Sequence, residues 1–456
     1  MTLVHIGCGA GFSGDRFDAS LPILASMAGR HGPKYLLFEV LAERTLAIAQ
    51  RLRLDDSQAG YSPYLDHYIR PALAGALRHG VRIVSNMGAA NPRGAAKRVH
   101  RIAEELGLSG VKIAIVSGDD LTEAMSPQEI LGAPTMEGIG FAGRPLIAAN
   151  VYLGARPIAV ALATGADVVL VGRTTDSALA LGPLIHEFGW AEDDWDRLAA
   201  GTIAGHLLEC GGQATGAYFA DPGFKDVPDL ARVGFPIAEI QACGDLVVTK
   251  PEGTGGRVSK ATITEQVLYE MHDPAAYLVP DVTVDITGMT LAEDGPDRIR
   301  LSGVKGHARP PTLKATVCVE NGWLGEAEMS YAGPNAFARA ELAAAVVRDR
   351  LAMQGVNEPA RVDIIGAGSV LDGGDAARRQ ARSLPFYGDY RLRAALLSQR
   401  REMAQLVADE VQMLYCSGPA GGGGFRCHVT PQLATASILV DRDRIEAGVQ
   451  VETIQP

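Results

Sequence analysis

The chain has 456 residues, of which 47% are hydrophobic and 21% are charged, and its formal net charge at pH 7 is −11. This composition predicts a large apolar core in two or three domains, and the lack of basic runs excludes a nucleic acid as the expected partner. The most apolar region, 146–171, is interrupted by Arg156 and Asp167, and no signal-peptide pattern precedes it, so we expect a cytoplasmic protein without a membrane partner.

The chain opens with an apolar run, residues 3–6, that leads directly into a glycine-rich segment. Glycines allow close approach of the backbone to a ligand, and the following residues, up to about residue 30, are predicted to form a helix. Counted from Gly9, the segment completes the dinucleotide fingerprint Gly-x-Gly-x-x-Gly, although a purely structural turn is the alternative. The candidate ligand-binding residues of this segment are Gly9, Gly11, Ser13, Gly14 and Asp15.

Five apolar runs in the first half of the chain are predicted to be strands. They are continuous rather than alternating, which is typical of parallel strands buried on both faces, and segments long enough for helical crossovers separate them. We therefore predict an α/β fold whose N-terminal part is a doubly wound, mainly parallel, Rossmann-like sheet. The runs are residues 3–6, 35–38, 81–84, 111–116 and 168–171.

Each of these runs ends in glycine or in a polar residue. In open parallel sheets, ligands bind outside the carboxyl ends of the strands, so these residues predict one shared pocket. The alternative is that they are only turn and N-cap residues. The residues that follow the five runs include Gly7, Glu39, Asn86, Asp119 and Arg173.

Two of these strand ends carry specific chemistry. Asp119 and Asp120 are adjacent carboxylates on a predicted turn, so one of them is a candidate for proton transfer while the other caps the next helix. Arg173 is predicted to clamp a carboxylate or phosphate, with Thr174 and Asp176 beside it, and a plain Arg–Asp pair is the alternative. No metal is expected, because the repeated oxygen-ligand spacing of a metal cage is missing.

The six cysteines form no Cys-x-x-Cys pair and have no histidine at zinc-ligand spacing, so reduced thiols are expected. Cys210 stands beside two glycines, as a nucleophile on an exposed turn does, and His206 is a conceivable base. The neighbouring Glu209 opposes formation of a thiolate, so a structural cysteine is the alternative.

A segment rich in proline and glycine, residues 221–228, predicts a boundary between a domain of residues 1–220 and a domain of residues 221–456. The second half mixes strand-like and helical patterns, which predicts a mixed α+β domain. Lys250 lies in a glycine-rich loop of the type that binds anions. Gly421, Gly422 and Gly423 predict a mobile flap or a close backbone approach to a ligand, with a flexible hairpin as the alternative.

As a set, these motifs resemble the acyclic terpene utilisation (AtuA-type) family over nearly the whole chain. The resemblance implies an enzyme of branched carboxylate or acyl-CoA catabolism, a lyase or hydratase or a hydrolase, and it adds Asn91, Asn150 and Tyr152 to the predicted site. The segments that carry the resemblance are residues 9–15, 85–92, 117–120, 149–155, 165–177, 208–211 and 418–423.

The chemistry that the resemblance implies uses anion-holding loops to position a small-molecule substrate, for which a CoA thioester is a candidate, and a carboxylate to transfer a proton. Two other classes stay open: an NAD(P)-dependent oxidoreductase with Glu39 on the ribose, and a noncatalytic ligand-binding subunit. Many family members carry a further small C-terminal domain. This chain is expected to stop before that domain, so two alternatives stay open: a small partner protein supplies its function, or the function is unnecessary here. We also expect a homo-oligomer.

Overall fold

The computed structural model describes residues 2–141, 143–367 and 387–454. Helices and strands alternate through the first half of the chain, and long strands dominate the second half. The helices are α1 Ser20–Met27, α2 Glu43–Asp55, α3 Leu65–Arg78, α4 Pro92–Glu105, α5 Pro127–Gly132, α6 Arg156–Ala163, α7 Ala178–Phe188, α8 Trp195–Glu209, α9 Lys260–Leu268, α10 Ala336–Met353, α11 Arg401–Gln412, α12 Leu414–Ser417 and α13 Arg442–Glu446.

The strands are β1 Leu3–Ala10, β2 Lys34–Phe38, β3 Val81–Ser85, β4 Ile113–Ser117, β5 Leu146–Val151, β6 Val168–Val171, β7 Ile237–Gln241, β8 Leu246–Thr249, β9 Tyr277–Leu278, β10 Thr283–Asp285, β11 Thr290–Glu293, β12 Ile299–Ser302, β13 Lys305–His307, β14 Thr312–Pro334, β15 Arg361–Ile365, β16 Tyr387–Ser398, β17 Gly423–Asp441 and β18 Gln450–Ile454. A short 3-10 turn, Leu121–Glu123, follows β4, and another, Gly211–Thr215, follows α8.

The largest sheet has ten strands in the order β11-β12-β8-β7-β1-β2-β3-β6-β4-β18. Its middle strands, from β1 to β4 in this order, are parallel. Antiparallel neighbours border them, β7 beside β1 and β18 beside β4. The predicted α/β class is thus confirmed as a mixed α/β fold with large mixed sheets, whereas the doubly wound, Rossmann-like arrangement stays a prediction.

Strand β1 continues to Ala10, so the predicted strand end at residue 6 is wrong. Gly7 and Gly9 lie inside the strand, where a Cβ would overlap Ile23 of α1 and the ring of Phe38 in β2, respectively. These glycines therefore let β1 pack closely against its neighbours. Helix α1 begins only at Ser20, so no helix N-terminus directly follows the glycine segment.

The helices around the parallel strands form two groups: α3 contacts α1 and α4, and α7 contacts α6 and α8. The chain moves across the sheet in one direction from β1 to β4 and then turns back to β6. The rule that crossovers are right-handed predicts that α6 lies on the opposite face from α1, α3 and α4, as the doubly wound prediction requires. That prediction would make the adjacent ends of β3 and β6 a switch point of the kind where ligands bind.

The chain forms two compact units. The first contains residues 1–141, 146–318 and 435–456, and the second contains residues 142–145 and 319–434. In the second unit, α10 and α11 pack on β16, and their apolar side chains form one core. Strands β7, β8, β11 and β12 extend the sheet of the first unit, so the predicted boundary at residue 220 is not a boundary of these units.

We expect Gly11→Ala to lower the free energy of unfolding in urea by about 1–3 kcal/mol, because the new Cβ would overlap backbone atoms of Cys210 and Gly211. The matched control is Gly132→Ala at the end of α5, where an added Cβ meets nothing within 4 Å. The control is expected to change stability by less than about 1 kcal/mol, and in the stabilising direction. Equal stability of the two variants would contradict this account of Gly11.

Candidate functional site

Asn86, directly after β3, fixes the carboxylate that follows β2. Its Nδ2 donates to Oε1 of Glu39 at 2.8 Å, and its Oδ1 accepts the amide of Val40 at 2.9 Å. The amide of Leu41 also donates to Glu39 Oε1, at 2.8 Å. Burial raises the pKa of Glu39, while the nearby Arg173 opposes this shift. Asn86 is fully buried, so it positions Glu39 from inside the sheet.

Asp119 and Asp120 point in different directions at the end of β4. Oδ2 of Asp119 accepts the backbone amide of Arg173 at 2.8 Å and Nδ2 of Asn150 at 2.9 Å. Burial raises the pKa of Asp119 to about 6, although both hydrogen bonds favour its ionised form. Asp120 caps the following 3-10 turn by accepting the amide and hydroxyl of Thr122. Asp119 therefore ties β4, β5 and the end of β6 together.

Arg173, directly after β6, is 1% exposed, and its guanidinium is surrounded by acceptors from the protein. Nε and Nη2 donate to the carbonyl of Thr174 at 2.9 and 2.6 Å, Nη1 donates to the carbonyl of Leu41, and Nη2 forms an ion pair with Asp176. The ring of Tyr152 lies 4.3 Å from Cζ, within reach of a cation–π interaction. The anion that this arginine holds is thus the carboxylate of Asp176, and its binding to a substrate anion stays a prediction.

Of the carboxyl groups near Arg173, Asp176 is the one that is both accessible to a ligand and raised in pKa. Burial, together with the charges of Glu39 and Glu209, raises its pKa well above the usual value, against the opposing effect of Arg173. Its side chain is nevertheless 36% exposed. Among the described residues only Oδ1 is engaged, so Oδ2 remains available to a ligand. A carboxyl group with a raised pKa and one oxygen open to a ligand is suited to exchange a proton with that ligand.

A further group of side chains, from the end of α8 and from β9, lies near the residues that follow the parallel strands. Nδ1 of His206 lies 2.7 Å from Oε1 of Glu209, and Nε2 lies 3.1 Å from the carbonyl of Val267. Burial lowers the pKa of His206, but the charge of Glu209 and these hydrogen bonds outweigh burial and raise it. Both ring nitrogens therefore face acceptors, which favours an imidazolium. Tyr277 stacks at a tilt on His206, with 5.6 Å between ring centroids.

Cys210 belongs to the same group of side chains, but its surroundings oppose a thiolate. Burial and the charge of Glu209 both raise the pKa of the Cys210 thiol. His206, the conceivable base, is engaged with Glu209 rather than with the sulfur. Cys210, the predicted nucleophile, thus remains a thiol at neutral pH. This agrees with the expectation from the sequence that Glu209 opposes formation of a thiolate.

The glycine segment after β1 makes its contacts with the protein itself. Oδ2 of Asp15 accepts the amide of Gly11 at 2.9 Å, and Oδ1 accepts the amide of Arg16 at 2.7 Å. The carboxylate of Asp15 therefore takes the amides that an anionic ligand would need. Gly14 has a φ of +93° and is exposed, and Ser13 is half-buried beside it.

Other predicted residues also have structural partners. Asn91 caps α4, since its Oδ1 accepts the amide of Gly94 at 2.9 Å and its Nδ2 donates to the carbonyl of Ala59. Lys250 is buried and donates to the carbonyl of Thr254 at 2.9 Å, with Asp297 3.3 Å away. Ligand binding by these side chains stays a prediction.

The glycines of the predicted flap belong to the second unit. Gly421 has a φ of +74°, and a Cβ there would approach Arg339, which donates to the carbonyl of Ala420 at 2.6 Å. A Cβ at Gly422 would meet the hydroxyl of Tyr331 at 3.1 Å, and Gly423 is the first residue of β17. A lid over the strand-end carboxylates stays a prediction.

Sequence reasoning did not single out two members of the cluster, Glu43 and Tyr277. The hydroxyl of Tyr152 donates to Glu43, and Nζ of Lys314 lies 3.4 Å from the same carboxylate and 4.8 Å from the Tyr152 ring. Glu43 lies in the first turn of α2, where an acidic residue is common in any helix. Tyr277 begins a strand of only two residues after a loop without a recognisable motif. No local sequence signal marks either residue.

The described residues contain no group of three or more histidine, cysteine, aspartate or glutamate side chains that could hold a metal ion. None of the helices in residues 2–141, 143–367 and 387–454 combines the length and hydrophobicity that a membrane crossing requires.

These features define a mixed α/β protein with a cluster of buried carboxyl groups around one arginine at the carboxyl ends of parallel strands. The model of the acyclic terpene utilisation family protein AtuA matches residues 4–451, so the chain belongs to this family, which links it to acyclic terpene utilisation. No curated protein matches the chain.

We expect Asp119→Asn to change how stability depends on pH. Burial raises the pKa of Asp119 from its usual 3.8 to about 6 in the folded protein, so the native state loses stability as the pH rises between these values. The variant lacks this loss. Between pH 4 and pH 7, its free energy of unfolding should therefore rise relative to that of the wild type by up to about 3 kcal/mol. Urea unfolding across this pH range measures the difference.

Asp285→Asn is the control of opposite sign. Hydrogen bonds from Thr287 lower the pKa of Asp285, so wild type gains stability from this residue as the pH rises, and the variant lacks that gain. A constant difference between Asp119→Asn and wild type from pH 4 to pH 7 would contradict the assigned shift.

Proposed function

We propose that this chain is an enzyme of acyclic terpene utilisation that transfers a proton to or from a carbon of a branched carboxylate or acyl-CoA substrate. A lyase or hydratase is the reaction class that the site supports best. Asp176 is the proton-transfer group, and Glu39, Arg173 and Glu209 set its protonation state. The observation that carries the proposal is a carboxyl group that is 36% exposed and has a raised pKa beside the carboxyl ends of the parallel strands.

The neighbours of Asp176 hold it in place and keep its pKa high. The guanidinium of Arg173 binds Oδ1 and leaves Oδ2 free among the described residues, which fixes the direction in which the proton is presented. The negative charges of Glu39 and Glu209 favour the protonated form. A carboxyl group with a raised pKa donates a proton to a substrate more readily than an ordinary aspartate does.

A hydrolase that uses Cys210 is a weaker candidate, because the raised pKa of the thiol disfavours the nucleophilic form. An NAD(P)-dependent oxidoreductase is also weaker, because Asp15 already accepts the amide of Gly11 that a pyrophosphate would need. A noncatalytic subunit would not need a half-exposed acid with a raised pKa. The small partner protein and the homo-oligomer stay predictions.

The experiment that tests the proposal follows proton transfer without knowledge of the full reaction. Purified protein is incubated in ²H₂O with CoA thioesters of branched saturated and unsaturated acids and with the free acids, and mass spectrometry measures deuterium and water uptake. We expect uptake with at least one thioester. Asp176→Asn should reduce the rate about 10²–10⁴-fold, which is the typical contribution of a general acid or base.

Asp120→Asn is the matched control, since Asp120 only caps a turn in the same sheet edge. It should keep the wild-type rate within a few-fold. The proposal fails if Asp176→Asn, shown to be folded by circular dichroism, exchanges deuterium at the wild-type rate, or if no substrate of the panel takes up deuterium or water.

We also expect Cys210→Ala to retain most of the proton-transfer activity, because burial raises the pKa of the Cys210 thiol and keeps it protonated. The same deuterium-uptake assay measures this, together with the reaction of the thiol with iodoacetamide at pH 7 and pH 9. Complete loss of activity in a folded Cys210→Ala variant, with rapid alkylation of the wild type at pH 7, would assign the nucleophile to Cys210 instead.

A further inference from the structure

A cavity of about 410 Å³ lies in the first unit, and none of the residues of the carboxylate cluster line it. Its volume is within the range of about 300–1,000 Å³ that is typical of small-molecule sites. Most of its wall is aliphatic. The apolar residues of the wall include Leu153, Pro157, Val160, Leu198, Leu313 and Val451.

Asp281 provides a hydrogen-bond acceptor in this apolar wall. Both of its carboxylate oxygens lie 3.0 Å from the same donor, the backbone amide of Ala155 at the start of α6. No other described residue donates a hydrogen bond to this carboxylate, although two oxygens can accept about four. Burial raises the pKa of Asp281 to about 6, as expected for an enclosed acid with few donors.

Arg309 provides a donor in the same wall. Its guanidinium lies 3.6 Å from Glu446 and 3.9 Å from Glu192, which are ion-pair distances longer than hydrogen bonds. Arg309 makes no hydrogen bond with the part of the chain that the structure describes. Its N–H groups are therefore available to a ligand.

The charges around the cavity are balanced without a ligand. Glu192 is 2.8 Å from Nε of Arg156, and Glu446 is 2.5 Å from Nη1 of Arg442. In the described part of the chain, these two pairs leave one acid, Asp281, and one base, Arg309, without a close ionic partner of their own. A ligand with a net charge would leave one charge of this set uncompensated in an apolar site, which is unfavourable.

We infer that this cavity binds a neutral aliphatic alcohol, whose hydroxyl donates to Asp281 and accepts from Arg309 while its hydrocarbon chain lies against the apolar wall. A hydroxyl is the small neutral group that both donates and accepts, so it suits a carboxylate and a guanidinium at once. A carboxylate ligand would meet three acids at this wall, and an ammonium ligand would meet Arg156 and Arg309.

The cavity shares one wall with the strand-end cluster. Leu153 lines the cavity, and its carbonyl accepts the amide of Thr175 at 2.9 Å and the hydroxyl of Thr174 at 2.7 Å. Binding in the cavity therefore contacts the backbone that supports Arg173 without occupying the proposed catalytic site. The inference does not depend on the proposed function, because its test measures binding alone.

The test uses 1-octanol, octanoate and octylammonium as probes of the same chain length and of different charge. Thermal unfolding and isothermal titration calorimetry measure binding to the full chain at pH 7. We expect 1-octanol to raise the melting temperature in a saturable manner, since a ligand of the folded state stabilises it by mass action. Octanoate and octylammonium should bind at least tenfold more weakly.

Three variants locate the site. Asp281→Asn and Arg309→Met should each weaken 1-octanol binding about tenfold, which corresponds to the loss of one hydrogen bond to a charged group. Val160→Trp should abolish binding by filling the cavity, and it should fold, because Val160 is 53% exposed on α6. The control Leu342→Trp changes a residue that is 55% exposed on α10, in the second unit, and should bind like wild type.

Three results would overturn the inference. The first is no saturable effect of 1-octanol on the wild-type chain, and the second is equal binding by the Val160→Trp variant, which would place the alcohol elsewhere. The third is binding of octanoate or octylammonium as tight as that of 1-octanol, which would show that charge balance does not select the ligand. None of these results bears on deuterium uptake at Asp176.

Discussion

The charge of one buried guanidinium holds the candidate site together. Arg173 is 1% exposed and faces the carbonyls of Leu41 and Thr174 and the carboxylate of Asp176. Its charge also opposes the burial of Glu39. Without it, several acids would be enclosed with no compensating charge, and breaking a buried pair of this kind typically costs about 3–5 kcal/mol. Arg173, which directly follows β6, therefore compensates the charges of the Glu39 and Asp176 carboxyl groups.

The acids around Arg173 outnumber it. Glu39, Glu43 and Asp176 interact with its charge, whereas Glu209 is hydrogen-bonded to His206. Asp176 is 36% exposed, and burial together with the charges of Glu39, Glu209 and Glu43 raises its pKa well above the usual range. The structural roles of the neighbours and the acid–base role proposed for Asp176 rest on the same electrostatic arrangement.

The first glycine motif shows why a local pattern was not sufficient to identify a site. Gly9 and Gly11 satisfy the spacing of a nucleotide-binding turn, yet the space of their missing side chains is filled by Phe38 and by the backbone at Cys210 and Gly211. Asp15 then takes the amide of Gly11. Glycine is required in both situations for the same steric reason, so sequence alone cannot separate close packing against a ligand from close packing against the protein.

The sequence by itself determined the mixed α/β class, the approximate strands of the first half, the family and the polar residues after each strand. Continuous apolar runs and the residues that end them are local properties, and parallel pairing brings Asn86, Asp119 and Arg173 to one edge. Only the tertiary structure decided the partners: Asp176 for Arg173, the amide of Gly11 for Asp15, and His206 for Glu209. Only the tertiary structure showed that Glu43 and Tyr277 belong to the candidate site and that a separate cavity lies at Asp281. Hydrogen-bond partners, burial and the resulting pKa shifts depend on residues distant in the chain, and no local pattern encodes them.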